Sequence, residues 1–299
     1  MAEMTEKKRI FALGFFDGVH VGHQALLKAC CDLALETGAE PAAITFATHP
    51  DALVFGKAPG MLNTMADREK LLRRYGMQAV FPLAFDRQTM TMPWQAFFRM
   101  LREDFGAAGL VCGSDFRFGY KGEGTAEKLR AACEAAGMCC AVVPEQTVDG
   151  VRVSSTYIRQ LLEAGEMEQA VRFLGHPHLL SGTVVSGRQL GRTIGIPTAN
   201  VRLEGSLLIP RFGVYCCRAL VGDRAYGAVT NIGVRPTVGG THVTVEPWLL
   251  EFEGDLYGQE LTLEFFAFLR PEKKFDSLLQ LQEEVRRNAA QTLEFLKNK

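Results

Sequence analysis

Gly14-Phe15-Phe16-Asp17-Gly18-Val19-His20-Val21-Gly22-His23 is the stretch on which the reading of this chain turns. It places two imidazoles three residues apart where a strand gives way to a helix. Before it, Arg9 to Leu13 is a short apolar run of the kind that forms a buried parallel strand, and after it Gln24 to Leu35 has the apolar spacing of an amphipathic helix. The first turn of a helix has backbone N–H groups without intrahelical partners and the positive end of the helix dipole, and both favour an anion. Gly14, Gly18 and Gly22 let an anion approach closely, and His20 and His23 share one helix face. The pattern predicts a phosphate-handling site, with two polar residues on an ordinary helix start as the plain alternative.

The rest of the chain bounds this reading. With 299 residues, 47% of them apolar, and a mean hydropathy near zero, it is long enough for two cores. A net charge of −1 supplies no basic field to hold a nucleic acid backbone, so anionic ligands have to be gripped locally by helix ends, arginines and metal. No apolar run approaches the roughly 20 residues of a membrane span, and the charged start from Met1 to Arg9 is not followed by a signal-type apolar stretch. The expectation is a cytoplasmic protein without nucleic acid or membrane as partner; oligomeric state is left open. The eight cysteines fall as three adjacent pairs (Cys30-Cys31, Cys139-Cys140, Cys216-Cys217), with Cys112 and Cys133 alone. That spacing suits neither a tetrahedral metal nor a disulfide framework, so they read as small buried hydrophobes.

Organisation divides the chain in two. From Arg9 to about Arg172, strand-like runs (Arg9 to Leu13, Ala42 to Phe46, Ala79 to Leu83, Gly109 to Cys112, Cys139 to Val143) alternate with helical periodicity, predicting an α/β Rossmann-like parallel sheet with its ligand crevice beyond the strands' carboxyl ends. After Leu174 the texture changes to short strands with glycine punctuation: Ser181 to Val185, Gly213 to Leu220, Ala225 to Ile232, Val243 to Phe252 and Leu261 to Phe268. These predict an antiparallel β-barrel, with a hairpin at Gly222-Asp223 and a terminal helix over Phe275 to Leu296 that buries Leu278, Leu281, Val285 and Ala289. The expected domains are 1–176 and 177–299.

Four further strings carry chemistry. Ser154-Ser155-Thr156-Tyr157-Ile158-Arg159 opens a helix, and Arg159, four residues beyond Ser155, can bring a planar guanidinium to the hydroxyls and free N–H groups at its start. An ordinary cap is the alternative. Gly113-Ser114-Asp115-Phe116-Arg117-Phe118-Gly119 follows a strand, so Asp115 could accept from ligand donors while the phenylalanines serve either packing or a ring platform. Gly187 to Asn200 has Gly187, Gly191 and Gly195 four apart, which lets main-chain N–H groups wrap phosphates, but it lacks the lysine of a Walker A loop. From Thr241 to Phe252, strand alternation puts Glu246 on one face with Trp248, Leu250 and Phe252, where a carboxylate could take the proton of an attacking hydroxyl.

Taken together these strings resemble the bacterial bifunctional riboflavin kinase/FAD synthetase family. Gly14 to His23 is similar to its GxFDGxHxGH, Ser154 to Arg159 to SSTxIR, Gly113 to Gly119 to GxDFRFG, Gly187 to Asn200 to GRxxGxPTAN, and Asn231-Ile232-Gly233-Val234-Arg235-Pro236-Thr237 to NIGxRPT. The resemblance implies two ATP-dependent reactions: the C-terminal barrel phosphorylates riboflavin to FMN, and the N-terminal domain adenylylates FMN to FAD. It implies His20 and His23 as catalytic in adenylyl transfer, with Gly14, Asp17, Gly18, Gly22, Ser154, Ser155, Thr156 and Arg159 on nucleotide phosphates, two helix starts sharing one crevice. Asp115 and Phe116 then border the flavin, Gly187, Gly191 and Gly195 bind phosphate, Thr198 and Asn200 hold Mg²⁺, and Glu246 is the kinase base. No chemical role attaches to the Asn231 to Thr237 string.

Departures are also present. Ala47 and Thr48 replace the usual Asp-Pro of TFDPHP, leaving His49 as a nucleotide-site candidate; Glu246 to Gly258 resembles the family's ExHLLDFxGDLYG with Trp248 for the usual His and Glu251 for Asp; and Gly175-His176-Pro177-His178 differs from GRPY at the domain junction. Other HxGH adenylyltransferases do not explain a barrel. A class I aminoacyl-tRNA synthetase would need a KMSKS string that is missing, and a non-catalytic flavin or nucleotide sensor has no need of a base at Glu246.

Overall fold

The computed structural model describes residues 8–187, 191, 195–237 and 240–299, with side chains omitted at 235–237 and 240–242. The chain divides into two compact units, Met1–Pro59 with Met65–Ser154, and Gly60–Thr64 with Ser155–Lys299. Residues 188–190 and 192–194 of the glycine-rich run lie outside the described residues.

In the first unit the elements run β1 (Arg9–Leu13), α1 (Val21–Thr37), β2 (Glu40–Phe46), α2 (Pro50–Val54), α3 (Met65–Arg74), β3 (Ala79–Leu83), α4 (Arg87–Thr91), α5 (Trp94–Glu103), β4 (Ala107–Gly113), the ribbon β5 (Arg117–Phe118) and β6 (Gly124–Thr125), α6 (Ala126–Ala135), β7 (Cys139–Val143), and the ribbon β8 (Thr147–Val148) and β9 (Val151–Arg152). The five long strands form a parallel sheet in the order β3-β2-β1-β4-β7. All five residues of β1 are buried, which is why that strand reads as a continuous apolar run without alternation. Phe11 and Leu13 pack with Phe97 and Leu101 of α5 and Leu129 of α6, while Cys30 of α1 donates its thiol to the Ile10 carbonyl at 3.2 Å. From β1 the sheet grows one way to β2 and β3, then the other way to β4 and β7. Such a reversal opens a crevice beyond the carboxyl ends of β1 and β4, and the segments starting at Gly14 and Ser114 leave from those ends.

The second unit has α7 (Ser155–Ala164), α8 (Met167–Leu174), β10 (His178–Val185), β11 (Asn200–Leu203), β12 (Gly213–Val221), β13 (Arg224–Thr237), β14 (Gly240–Leu249), β15 (Glu260–Arg270) and α9 (Leu278–Lys297). Its six strands close into an antiparallel barrel in the order β10-β11-β14-β13-β12-β15. Inward residues such as Val201, Ile232, Val245, Leu261 and Leu263 are buried. α9 covers one outer face, where Ala289 and Leu293 meet Val214, Val229, Trp248 and Leu250, and Arg270 of β15 reaches Asn288 at 3.0 Å and Glu284 at 3.2 Å.

Three sequence expectations are corrected. β14 ends at Leu249, and Glu251 takes φ +59°, so Phe252 leaves the face shared by Glu246 and Trp248 and meets Tyr226 edge-on at 5.1 Å instead. Leu278 in the first turn of α9 is 66% exposed, and the residues that α9 buries are Asn288, Ala289 and Thr292. β11 was not anticipated as a strand; at four residues just past Pro197 it is too short for alternation to show.

Candidate functional site

At the start of α1 the sequence packs two histidines face to face. His20 is the N-cap, with φ −63° and ψ 171°, and its Nδ1 accepts from the His23 backbone N–H at 3.3 Å. The two rings stack with centroids 3.6 Å apart and planes 10° from parallel, so both imidazoles serve the same side of the helix. Gly22 is what permits this, since a Cβ there would stand 3.2 Å from His20 Nδ1. The preceding loop bends sharply, with φ of +56° at Phe16 and +40° at Val19, conformations that persist in non-glycine residues only where contacts over-determine them. Those contacts are present: Val19 N–H donates to Phe16 O at 3.1 Å, Gln24 Nε2 donates to Val19 O at 2.9 Å, and the Phe16 ring meets His23 at 5.2 Å.

A residue that sequence reasoning missed packs against the loop before this pair. Arg68 of α3 is 1% exposed; its Nη1 donates to Phe46 O at 3.0 Å and Thr45 Oγ1 at 3.3 Å, and its guanidinium carbon lies 4.4 Å from the Phe15 ring centroid. Thr45 in turn donates to Phe15 O at 2.8 Å. Asp17, itself 1% exposed, interacts electrostatically with Arg68 and opposes the lowering that burial imposes on the guanidinium pKa. Burial pushes the His23 pKa well below its ordinary value, and His20 and Arg68 push the same way, so His23 is a neutral imidazole near pH 7. His23 Nδ1 and Arg68 Nε are both enclosed without a hydrogen-bond partner. Buried polar atoms left without a partner are uncommon in folded proteins. The sequence signal for Arg68 was its position three and four residues before the buried Leu71 and Leu72, which puts it on the apolar face of α3.

The other strings of this half are placed as follows. Asp115, just beyond β4, pairs with Arg152 at 2.6 Å, and Arg152 also holds Glu145 at 2.8 Å. Phe116 stacks on Phe118 at 5.4 Å, and both pack against the α5 and α6 core. His49 caps α2, its Nδ1 accepting from Asp51 N–H at 3.1 Å, and its ring meets Phe15 at 4.7 Å. Ser155 opens α7, Thr156 is exposed, and Arg159 donates its Nε to Gly60 O at 2.8 Å. That bond fixes the stem of Arg159 with its other N–H groups beyond it.

In the barrel, Glu246 is central. Asn231 of β13 is its direct partner on one side. On the other side Val201 faces Val245 and Ala199 N–H donates to Pro247 O at 2.9 Å, which brings Asn200 opposite Glu246. Direct partners in antiparallel strands present side chains on one face, so Asn200, Glu246 and Asn231 form a row across β11, β14 and β13. All three are half-buried. A Cβ on Gly187 would stand 2.2 Å from Asn200 Nδ2, and one on Gly191 would stand 2.1 Å from Ile196 O and 3.4 Å from Thr198 Oγ1. The glycines thus leave room beside the neutral side-chain oxygens of Thr198 and Asn200, a donor set that fits a hard cation sharing its shell with phosphate and water. Gly195 takes φ +69°, in the left-handed region that favours glycine. Trp248 packs on the cluster under α9, which accounts for an aromatic at this departure from the family string.

Comparison with known proteins agrees with both halves. An FAD synthetase family model matches residues 2–157, and a riboflavin kinase model matches residues 174–296. The chain is 32% identical over 296 residues to the bifunctional riboflavin kinase/FMN adenylyltransferase of Listeria monocytogenes, covering 98% of this chain and 94% of that protein. To the protein of the same name from Escherichia coli it is 34% identical over 298 residues, covering 99% and 95%. A crystal structure described as a macrolide-efflux protein from Streptococcus pneumoniae superposes with a TM-score of 0.86 at 30% identity, covering 96% of this chain and 94% of that one. Among the described residues no helix is long and apolar enough to cross a membrane. A parallel-sheet unit with a histidine-bearing helix start, a closed barrel with a carboxylate between two asparagines, and near full-length relatives place the chain in the family of bifunctional riboflavin kinase/FMN adenylyltransferases.

Proposed function

We propose that the family's two reactions are divided along the chain, with riboflavin phosphorylation in residues 177–299 and FMN adenylylation in residues 1–176, and that the residues described above carry them. As a member of this family the protein uses ATP to phosphorylate riboflavin to FMN and again to adenylylate FMN to FAD. In the barrel Glu246 accepts the proton of the terminal ribityl hydroxyl as that oxygen attacks the γ-phosphorus, and ADP leaves. Gly187, Gly191 and Gly195 give the triphosphate room. Thr198 and Asn200 would hold Mg²⁺, which when bound neutralises charge on the phosphate oxygens.

For adenylyl transfer, a phosphate oxygen of FMN attacks the α-phosphorus of ATP and pyrophosphate leaves, so no enzyme nucleophile is needed. Catalysis is then alignment and charge stabilisation. His20 and neutral His23 donate N–H to phosphoryl oxygens at the positive end of α1, with the buried Arg68 adding fixed charge and Gly14, Asp17, Gly18 and Gly22 shaping the loop. Ser154, Ser155, Thr156 and Arg159 bind nucleotide phosphate at the start of α7, and Asp115 and Phe116 border the flavin. Because both reactions consume ATP, a cytoplasmic location belongs to the same proposal.

The observation that carries the reading is the row Asn200, Glu246 and Asn231, in which residues far apart in sequence meet on one barrel face. The test is incubation of the purified protein with riboflavin, ATP and Mg²⁺, separating riboflavin, FMN and FAD over time. FMN should rise first and FAD follow, both dependent on the cation. Formation of neither product would overturn the proposal in favour of a non-catalytic flavin binder.

A further inference from the structure

Asn231 and Gly233 lie on one face of β13, and neither has a part in the proton transfer described above. Asn231 flanks Glu246 on the side away from Asn200. Its Nδ2 donates to Glu272 Oε1 at 3.4 Å, and Glu272 comes two residues after the end of β15. Gly233, two residues along β13, leaves the notch that the same carboxylate fills: a Cβ there would stand 2.1 Å from Glu272 Oε1 and 2.9 Å from its carboxyl carbon. Any side chain at 233 would therefore push Glu272 away from Asn231. The Asn-x-Gly spacing thus builds a seat for a carboxylate beside the kinase base.

We infer that Glu272, seated over Gly233, is a positioning residue of the kinase site that orients the Asn231 amide beside Glu246. The physical reason lies in the donor inventory. An ionised carboxylate only accepts hydrogen bonds, so it selects the orientation of Asn231 in which the NH₂ group points to Glu272. An unclamped amide could flip and turn its oxygen lone pairs and its N–H groups about, presenting Glu246 and the ribityl hydroxyl with an inconsistent partner. The clamp removes one of the two orientations before substrate arrives, which is preorganisation of the base's surroundings. This inference rests on Glu246 being the base.

The test measures riboflavin phosphorylation in the full chain for Glu272→Ala, Glu272→Gln, Asn231→Ala and the Glu272→Ala/Asn231→Ala pair, with adenylylation of supplied FMN and the unfolding midpoint as internal controls. Glu272→Ala should lower kcat about tenfold with KM for ATP within about twofold. Glu272→Gln keeps an accepting oxygen and should stay within about threefold of wild type, and the double variant should be no slower than Asn231→Ala alone. Wild-type kcat in Glu272→Ala, or additive losses with Glu272→Gln as slow as Glu272→Ala, would overturn the inference. Glu246→Gln is run alongside: if it retains kinase activity the base assignment itself fails, whereas its loss of activity with an unaffected Glu272→Ala sinks only the positioning role.

Discussion

A buried arginine changes what the histidine pair at α1 can do. Enclosure of its ring, with His20 and Arg68 adding to it, holds His23 neutral well below the usual histidine range, so one ring N–H is left to donate to a phosphoryl oxygen. Adenylylation should therefore keep its rate on the acid side of about pH 6.5, where an unperturbed histidine would protonate, and Arg68→Met should move the acid limb of the pH–rate profile upward. A limb that stays in place in that variant would show that Arg68 only packs. The two activities should also separate by single substitutions: Glu246→Gln abolishes FMN formation while leaving adenylylation of supplied FMN, and His23→Ala does the reverse, each by at least about a hundredfold in product formation. The histidines and Glu246 were legible in sequence because glycines and alternation frame them. Arg68 was hidden because a charged residue in Met65–Arg74, among five others of either sign, reads as a solvated face until the packing of Leu71 and Leu72 is known.

At the scale of elements, the strands that alternate cleanly and the hairpin at Gly222-Asp223 fall where their patterns put them, while ends and short pieces do not. β14 stops at Leu249 because the chain must turn before α9's contact surface, and Leu250 reaches that surface from the turn itself. α9 starts three residues later than periodicity suggests because Ser277 caps it, its Oγ accepting from Gln280 N–H at 3.2 Å. Replacing that cap, Ser277→Ala, should cost about 1 kcal/mol, read as a lower urea midpoint with an unchanged slope. A larger loss would mean that the first turn, with Leu278 and Leu279 mostly exposed, packs more tightly than its exposure shows. The short strand β11 is made by its neighbours: its partners in β10 and β14 supply the register that four residues could not specify alone.

For the molecule as a whole, burial of neutral histidines couples folding to pH. Burial, with His176 adding to it, pushes His178 down to about 3, and His23 is lowered as well. Both folded values lie below the ~6.5 of an unfolded histidine, so the unfolded chain binds more protons. The stability they contribute is complete above about pH 6.5 and is lost as pH falls toward about 3. Urea midpoints should decline through that window, and His178→Leu should flatten the decline, whereas an unchanged slope would mean that carboxylates dominate it. What the sequence determined by itself is local and periodic: the parallel-sheet half, the barrel half, and the helix start after Gly14 that carries the two histidines, because apolar spacing and backbone geometry act over a few residues. Which side chains meet was decided only by tertiary structure. Asn200, Asn231 and Glu246 become neighbours through strand register, Glu272 reaches Asn231 through a glycine notch, and Arg68 meets the Phe15 ring through helix packing. Contacts across tens of residues depend on chain closure, and no short window of sequence records where the chain comes back to itself.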